Sequence, residues 1–518
     1  MITFLISIVA LILGYFIYGK VVDKVFGPDG RQTPAVRIND GVDYVAMPTW
    51  KVYMIQFLNI AGTGPIFGAI MGMWFGPAAF LWIVFGCIFG GAVHDYLSGM
   101  LSMRNDGAGL PTMIGKYLGS GTRKVMITFT ALLLVMVGAV FVYSPAIILE
   151  GFGGDKVMWM VIIFVYYLIA TMMPIDKIIG KIYPLFAISL IFMALALFVA
   201  LLIKMPQLPE LWNMGNMESW QNSLQVNGQD GLGLIDFLKK NPLLPCMFIT
   251  IACGAVSGFH ATQSPLMARC LKSERLARPV FYGAMITEGI VALIWASVSS
   301  YFFYYGGWKE LISEQEVTAF VSQVGGEGGK TLVQYFSAPA VVKIVCTGWL
   351  GVMGGILAML GVVAAPITSG DTALRSMRLI IAEALHIDQK PIVKRLMISV
   401  PIFVATFALL LWQMGSPDSF NVLWQFFGWS NQTLSVFTFW MLTVYLVRAH
   451  KPYVMTLIPA LFMTVICTLF LLVSPQAFNL GEGITMYAVP AIAAVALIWF
   501  VLWYRRDRAR RGHLAAAA

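Results

Sequence analysis

Apolar runs of about 20 residues, long enough to cross a bilayer as helices, recur from Ile2 to Trp503 of this chain. By the hydropathy criterion we expect about 13 spans. They lie near residues 2–19, 52–73, 76–101, 124–149, 157–174, 181–203, 243–264, 279–305, 340–367, 394–414, 420–447, 453–474 and 485–504. The sequence therefore predicts an all-α polytopic membrane protein, with residues 1–518 forming a single membrane domain.

The composition excludes a soluble protein. Only 11% of the residues are charged, whereas soluble domains carry roughly 25%. The net charge of +9 comes from lysines and arginines in short loops, so it indicates membrane topology and not a nucleic-acid partner. The partners expected are a lipid bilayer and a small-molecule substrate.

Basic residues cluster in every second loop, which predicts the sidedness of the chain. The basic loops are 20–51, 102–124, 266–278 and 370–395, together with the segment after Trp503. The loops near 205–242 and 306–339 are neutral to acidic. Because cytoplasmic loops carry the excess of Lys and Arg, we expect the N-terminus outside and the C-terminus in the cytoplasm.

Two of the expected spans contain helix breakers. The second span carries Gly62, Gly64 and Pro65, and the seventh carries Gly254, Gly258 and Pro265. Irregular backbone at this depth survives only where it lines a cavity or is buried in protein. The two spans run in opposite directions, which is typical of inverted-repeat transporters with a substrate site at the breaks.

The predicted organisation follows from this pairing. It comprises a leading helix at 1–19, repeat one at about 52–203, repeat two at about 243–447 and trailing helices at 453–504. The alternative is that the glycines only allow close helix packing.

Ionisable residues at membrane depth are costly and face the protein interior. His94 and Asp95 lie in the third span, Glu288 in the eighth, and His260 beside the second break. They are candidates for coupling transport to a cation, or for buried hydrogen bonds between helices. His260 could exchange a proton near neutral pH or bind substrate as a neutral side chain.

Two further polar groups interrupt apolar spans. Pro366 is expected to break the ninth span, and Thr368 and Ser369 follow it. Their hydroxyls could coordinate Na⁺ near an unwound helix, or Ser369 or Asp371 could cap a cytoplasmic helix. In the eleventh span, Asn431 belongs to a polar cluster that is a substrate candidate or a source of interhelical hydrogen bonds.

Nothing in the sequence indicates an enzyme. It contains neither a phosphate-binding GxxxxGK[ST] loop nor an HExxH metalloprotease motif. The six cysteines form no CxxC pair and are interpreted as small core residues. We therefore expect no cofactor.

The segments INDGVDYV (38–45), IAGTGPIFG (60–68), SGFHATQSP (257–265) and SGDTALRSMRLIIAEAL (369–385) together resemble the carbon starvation protein A family. The resemblance implies a LeuT-like five-plus-five helix bundle in the bacterial inner membrane. It also implies uptake of small organic nutrients, with pyruvate and short peptides the substrates associated with relatives. The coupling ion, H⁺ or Na⁺, stays open.

The site residues expected from the breaks and from the resemblance can be stated together. The substrate-binding candidates are Asn59, Gly62, Thr63, Gly64, Pro65, Gly254, Ser257, Gly258, His260, Gln263 and Asn431. The coupling and gating candidates are His94, Asp95, Glu288, Asn39 and Asp40. A sodium-type site would use Ala61, Thr368 and Ser369. Asp43 is interpreted as part of a solvated turn.

These features predict a secondary transporter that works by alternating access. Two alternatives stay open at this point. A channel-like facilitator would use the polar breaks as a continuous pore, and a nutrient sensor would signal through its cytoplasmic tail.

Overall fold

The computed structural model describes residues 1–151, 153–175, 179–212, 225–226, 229–230, 242–323, 336–415, 417–475 and 477–517. This part of the chain is helical apart from a two-residue antiparallel pair, Gln225–Val226 with Gln229–Asp230. The prediction of an all-helical protein is therefore confirmed in its main feature.

The helices follow one another in this order. They are α1 (Ile2–Phe16), α2 (Tyr18–Phe26), α3 (Pro34–Arg37), α4 (Thr49–Ile60), α5 (Ala69–Gly72), α6 (Ala78–Phe85), α7 (Ala92–Met103), α8 (Leu110–Leu118), α9 (Ser120–Glu150), α10 (Lys156–Met172), α11 (Ile179–Lys204), α12 (Leu243–Thr250), α13 (His260–Ala268), α14 (Gly283–Tyr304), α15 (Gly307–Leu311), α16 (Glu314–Gln323), α17 (Ala338–Leu385), α18 (Ile392–Met414), α19 (Pro417–Arg448), α20 (Val454–Val473) and α21 (Thr485–Ala517). Single π turns occupy Gly64–Gly68, Gly86–Gly91 and Arg278–Tyr282, and 3₁₀ turns occupy Met73–Phe75, Glu274–Leu276 and Glu482–Ile484.

The long apolar helices confirm a multi-pass membrane protein. Among the described residues, nine helices are long and apolar enough to cross a bilayer. A tenth span arises if the bent pair Thr49–Ile60 and Gly64–Phe75 is counted as one, and α10 is apolar but only 17 residues long. The count of 13 spans stays a prediction.

The ninth predicted span differs from expectation. Pro366 does not end this span. Helix α17 is 48 residues long in all and continues past Pro366 to Leu385. Residues 370–385, expected in a cytoplasmic segment with a helix of its own, instead continue α17, and most of them are buried. The packing of α17 against α9 and α11 holds the helix together past the proline. The departure from helical geometry lies instead at Gly351, with φ of 67°.

The loops predicted to lie on the cytoplasmic side contact one another at one end of the bundle. Arg104 pairs with Glu274 at 2.9 Å, and Arg269 pairs with Glu383 at 2.6 Å. The backbone N–H of Thr3, at the start of α1, donates to Glu210 at 2.8 Å. The sidedness of the loops stays a prediction.

Candidate functional site at two broken helices

The first break, Ala61–Thr63, follows α4. Ala61 leaves the helical region with φ of −80° and ψ of 53°, and the chain resumes as a half-helix, Gly64–Phe75, bent by 53° from α4. Pro65 stands in the first turn of that half-helix, where its missing N–H costs least. Gly62, Gly64 and Pro65 therefore produce the interruption that the sequence predicts.

The second break is longer and covers Ile251–Phe259, between α12 and α13. Gly254 has φ of +89°, a conformation that suits glycine because it has no Cβ. Pro265 lies inside α13, so the glycines and not this proline separate the two helices. His260 begins α13.

The two breaks pack directly against each other. A Cβ added at Gly64 would lie 2.3 Å from the Cβ of Cys253, and one added at Gly254 would lie 2.6 Å from the Cβ of Ala292. At Gly258 an added Cβ would lie 2.2 Å from the backbone nitrogen of Ser435. Gly64 and Gly254 allow close approach of neighbouring side chains, and Gly258 allows close approach of the α19 backbone. The packing role and the break therefore occur at the same residues.

Asn431 holds the second break from α19. Its Oδ1 accepts hydrogen bonds from Ser257 Oγ at 3.1 Å and from the backbone N–H of Phe259 at 2.6 Å. The structure thus brings Asn431 and Ser257 together as part of one site. Because both groups are engaged within the protein, their contact positions the break.

Several predicted substrate residues are buried with unpaired polar atoms. The side-chain atoms of Asn59, the hydroxyl of Thr63 and Oε1 of Gln263 have no hydrogen-bond partner among the described residues. Both amide atoms of Gln56, one turn before Asn59, share this property. Buried polar groups are nearly always paired, so these atoms are available to a ligand.

His94, Asp95, His260 and Glu288 form a continuous buried group, which we call the histidine–carboxylate cluster. Both histidine rings are hydrogen-bonded to the carboxylate of Asp95. His94 Nδ1 lies 2.8 Å from Oδ1, and His260 Nδ1 lies 2.9 Å from Oδ2. His260 Nε2 lies 3.6 Å from Glu288 Oε2. All four side chains are fully buried. Residues from α7, α13 and α14 therefore meet as one network, which the sequence predicted only as separate candidates.

The hydroxyls of the two sodium-site candidates in α17, Thr368 and Ser369, bind to different helices. Ser369 Oγ donates to the carbonyls of Leu58 at 3.1 Å and Asn59 at 3.0 Å, which places it at the end of α4 next to the first break. Thr368 Oγ1 donates to the carbonyls of Ala364 and Ala365 in its own helix. Ser369 therefore reaches freed carbonyls as predicted, but these belong to the turn before Ala61. A cation role for the three residues stays a prediction.

The helix-cap interpretation of Ser369 and Asp371 is wrong. Both lie in the middle of α17 and are buried. Asp371 accepts a hydrogen bond from the Tyr183 hydroxyl at 2.6 Å and one from Thr171 at 3.4 Å. The aspartate joins α17 to α10 and α11 and does not begin a helix.

In the segment before α4, Asp40 and Asp43 differ in burial and in hydrogen bonding. Asp40 Oδ1 accepts from the backbone N–H groups of Val42, Asp43 and Tyr44, at 2.9, 3.0 and 2.9 Å, which closes a turn. Asn39 is exposed with φ of 33°. Asp43, expected in a solvated turn, is instead buried. A gating role for Asn39 and Asp40 stays a prediction.

Asp43 pairs with two arginines of α17, forming what we call the arginine cluster. Arg375 Nη1 and Arg378 Nη2 lie 3.3 and 3.2 Å from Asp43 Oδ1. Burial alone would raise the pKa of the Asp43 carboxyl, but the guanidinium groups of Arg378 and Arg375 outweigh it and hold this pKa below its usual value. The cluster ties the segment before the first break to α17.

Three residues with buried partners are not recognised from the sequence. Its pattern indicates a core residue at Cys253 and loop charges at Arg375 and Arg378. The i, i+3 spacing of the arginines within RSMRLIIAEAL places them on one helix face, a signal that could have shown a buried partner. No sequence signal distinguishes Cys253 from the other cysteines.

The multi-pass helical bundle with two broken helices in contact has the fold of several solved membrane transporters. A manganese transporter of Eremococcus coleocola superposes with a TM-score of 0.55 at 13% identity, covering 90% of this chain and 99% of that one. A Na⁺-coupled sialic acid symporter superposes with a TM-score of 0.51 at 12% identity, covering 90% and 97%. At these identities the likeness concerns the fold alone.

The chain belongs to the carbon starvation protein CstA family, whose model matches residues 1–150 and 142–470. An uncharacterized membrane protein of Haemophilus influenzae is 44% identical over 349 residues, covering 58% of this chain and 91% of that protein. The peptide transporter CstA of Campylobacter jejuni is 27% identical, with 88% and 77% covered. The pyruvate/proton symporter BtsT of Escherichia coli is 28% identical, with 51% and 43% covered.

Proposed function

We propose that this chain is a secondary active transporter that imports a small organic nutrient across the bacterial inner membrane, coupled to a cation by alternating access. The observation that carries the proposal is the contact between two broken helices beside the unpaired polar atoms of Asn59, Thr63 and Gln263. In an inverted-repeat transporter this is where substrate binds. The proposal includes the five-plus-five repeat, 13 spans and an external N-terminus.

The half-helices favour an anionic substrate group. The half-helix Gly64–Phe75 and α13 both begin at the breaks, and helix N-termini carry positive partial charge. A carboxylate fits there, and pyruvate, related small carboxylates and short peptides all carry one. The relatives named as a pyruvate/proton symporter and as peptide transporters support this substrate class.

Two places are candidates for the coupling cation. The histidine–carboxylate cluster holds ionisable groups at membrane depth, which are functional candidates by default, and Ser369 lies against freed carbonyls of α4. One coupled positive charge gains about 2.3 kcal/mol per 100 mV of membrane potential. That gain supports accumulation of tens-fold.

Uptake into proteoliposomes tests the proposal. Labelled pyruvate and a labelled dipeptide are offered separately under an imposed proton gradient, an imposed sodium gradient and neither. We expect accumulation of at least one substrate under one gradient only. Equilibration without accumulation under every condition would favour the facilitator, and binding without counterflow would favour the sensor.

Thr63→Val tests the site assignment, with Thr130→Val as the matched control. Thr130 is also a buried threonine whose hydroxyl has no partner among the described residues, but it lies in α9, away from the breaks. A hydrogen bond to a charged ligand contributes about 1.5–3 kcal/mol, so the apparent KM of Thr63→Val should rise about tenfold or more. Equal KM values for the two variants would contradict the assignment of Thr63.

A further inference from the structure

We propose that Cys253, His260 and Glu288 form a binding site for a divalent transition-metal ion of the zinc class. One ligand atom from each of these residues lies within 4.8 Å of the other two, and all three side chains are buried. Thiolate, imidazole and carboxylate are the three side-chain ligands that zinc takes in proteins. This inference goes beyond the proposed function, because nutrient uptake does not require such an ion.

The orientation of His260 is the one that metal-binding histidines adopt. Its Nδ1 lies 2.9 Å from Asp95 Oδ2, so Nδ1–H donates to a carboxylate and, in the neutral ring, the lone pair of Nε2 faces the site. Metal-ligating histidines almost always donate their other ring N–H to such a partner, which fixes the tautomer and the ring. His94 holds the second oxygen of Asp95 at 2.8 Å, so the supporting carboxylate is itself fixed.

The distance between the imidazole and the carboxylate fits tetrahedral coordination. Zinc bonds of about 2.0–2.3 Å place neighbouring ligand atoms roughly 3.3–3.6 Å apart, and His260 Nε2 is 3.6 Å from Glu288 Oε2. Cys253 lies in the non-helical second break. Its sulfur lies 3.5 Å from Ser257 Oγ and 3.8 Å from Asn431 Nδ2, so a metal bond would replace weak interactions.

Two of the three ligand groups have atoms without a partner at hydrogen-bond distance. His260 Nε2 and both carboxylate oxygens of Glu288 are buried without a hydrogen-bond partner among the described residues. A buried charged or polar group without a partner costs several kcal/mol, and a metal ion would satisfy all three atoms. An imidazolium between two carboxylates would use the same atoms without the thiol, so Cys253 distinguishes the two arrangements.

Metal binding would restrain the second break. Cys253 belongs to the break, His260 begins α13, and Glu288 belongs to α14. One ion would bond all three segments together and release the thiol proton of Cys253 as it binds. If the break moves during transport, which rests on the proposed function, Zn²⁺ inhibits uptake.

Cobalt titration of the purified full-length chain in detergent tests the site directly. Chelator-stripped protein is titrated with Co²⁺, and we expect one bound ion with a thiolate-to-cobalt charge-transfer band and d–d bands of tetrahedral intensity. Cys253→Ser should lose the charge-transfer band, and Cys346→Ser, which removes a buried cysteine of α17, should keep it. Absence of Co²⁺ binding, or a band that persists in Cys253→Ser, overturns the proposal.

Asp95→Asn provides a second variant if Cys253→Ser fails to fold, as judged by its elution and thermal midpoint without metal. Loss of such a supporting carboxylate weakens metal affinity about 10–100-fold, and unchanged Co²⁺ affinity overturns the site. These titrations do not depend on transport, so they remain decisive even if every uptake assay fails. In active proteoliposomes, Zn²⁺ should inhibit the wild type and not Cys253→Ser, and equal inhibition of both contradicts the restraint of the break.

Discussion

The histidine–carboxylate cluster and the arginine cluster are both buried networks of charge, but the atoms they leave unpaired differ in kind. In the arginine cluster, Arg375 Nη2 donates to the carbonyls of Ala170 and Met173, and Arg378 Nη1 donates to Gln389. Only Nε of each guanidinium, a donor that cannot bind a metal or accept a proton, lacks a partner among the described residues. In the other cluster, Glu288 and Nε2 of His260 have no hydrogen-bond partner among the described residues. The first network resembles a structural joint, and the second has atoms available for a ligand.

The two clusters also differ in whether their groups can change charge. A guanidinium group stays charged at any physiological pH, so the arginine cluster always needs its single carboxylate. Carboxylates and imidazoles can gain or lose a proton and so change the charge of the network. A group that can change its charge suits coupling, and one that cannot suits permanent attachment. Substitutions that separate stability from uptake therefore test the comparison.

Asp43→Asn should have the largest effect on stability. It removes the carboxylate that pairs with the buried guanidinium groups of Arg375 and Arg378, and breaking a buried pair in this way costs about 3–5 kcal/mol. The free energy of unfolding in detergent, from denaturant titration, measures this loss. Asp388→Asn, on the exposed segment after α17, is the control and should change stability by less than about 0.5 kcal/mol. Equal stabilities would show that the arginine cluster is not a joint.

His260→Gln should lower stability less than Asp43→Asn does, but it should greatly reduce uptake. The amide can still donate to Asp95, and Asp95 and Glu288 can become neutral by binding protons, so we expect a loss of about 1–2 kcal/mol. Coupled uptake should fall at least tenfold, measured in proteoliposomes at equal protein incorporation. His386→Gln, at the exposed end of α17, should transport like the wild type. Full uptake by His260→Gln would contradict a role of the histidine–carboxylate cluster in coupled uptake.

The sequence predicted what local chemistry determines. Glycine and proline act on the chain at their own positions, so the breaks near Gly62 and Gly254 could be located without a structure, and hydropathy identified most of the membrane helices. The charges of His260 and Asp95 could also be recognised as unusual at membrane depth.

Long-range pairing could not be predicted in the same way. The contact of His260 with Asp95 joins residues 165 positions apart, and that of Asp43 with Arg375 joins residues 332 positions apart. Helix continuity past Pro366 depends on packing against α9 and α11, which overrides the local effect of proline. Where tertiary contacts decide, as for Asp371 with Tyr183, local rules assigned the wrong role.

Gln389→Ala should lower the free energy of unfolding by less than Asp43→Asn does. Gln389 Oε1 accepts from Arg378 Nη1 at 2.6 Å, and loss of a hydrogen bond to a charged group costs about 1.5 kcal/mol or slightly more. Combined with Asp43→Asn, the losses should not add, because both act on the same guanidinium. Strict additivity in a double-mutant cycle would show that the two contacts are independent.

The smallest effect is expected from acidification. Because the folded-state pKa of Asp43 lies below its usual value, its stabilisation is fully present above the unfolded pKa of about 3.9 and is lost as pH falls through the folded value. The stability difference between wild type and Asp43→Asn should therefore stay constant from pH 7 to about pH 5 and narrow only below about pH 4. A difference that narrows already between pH 7 and pH 5 would mean that Asp43 binds a proton in the working range. The arginine cluster could then change its charge near neutral pH, as the histidine–carboxylate cluster can.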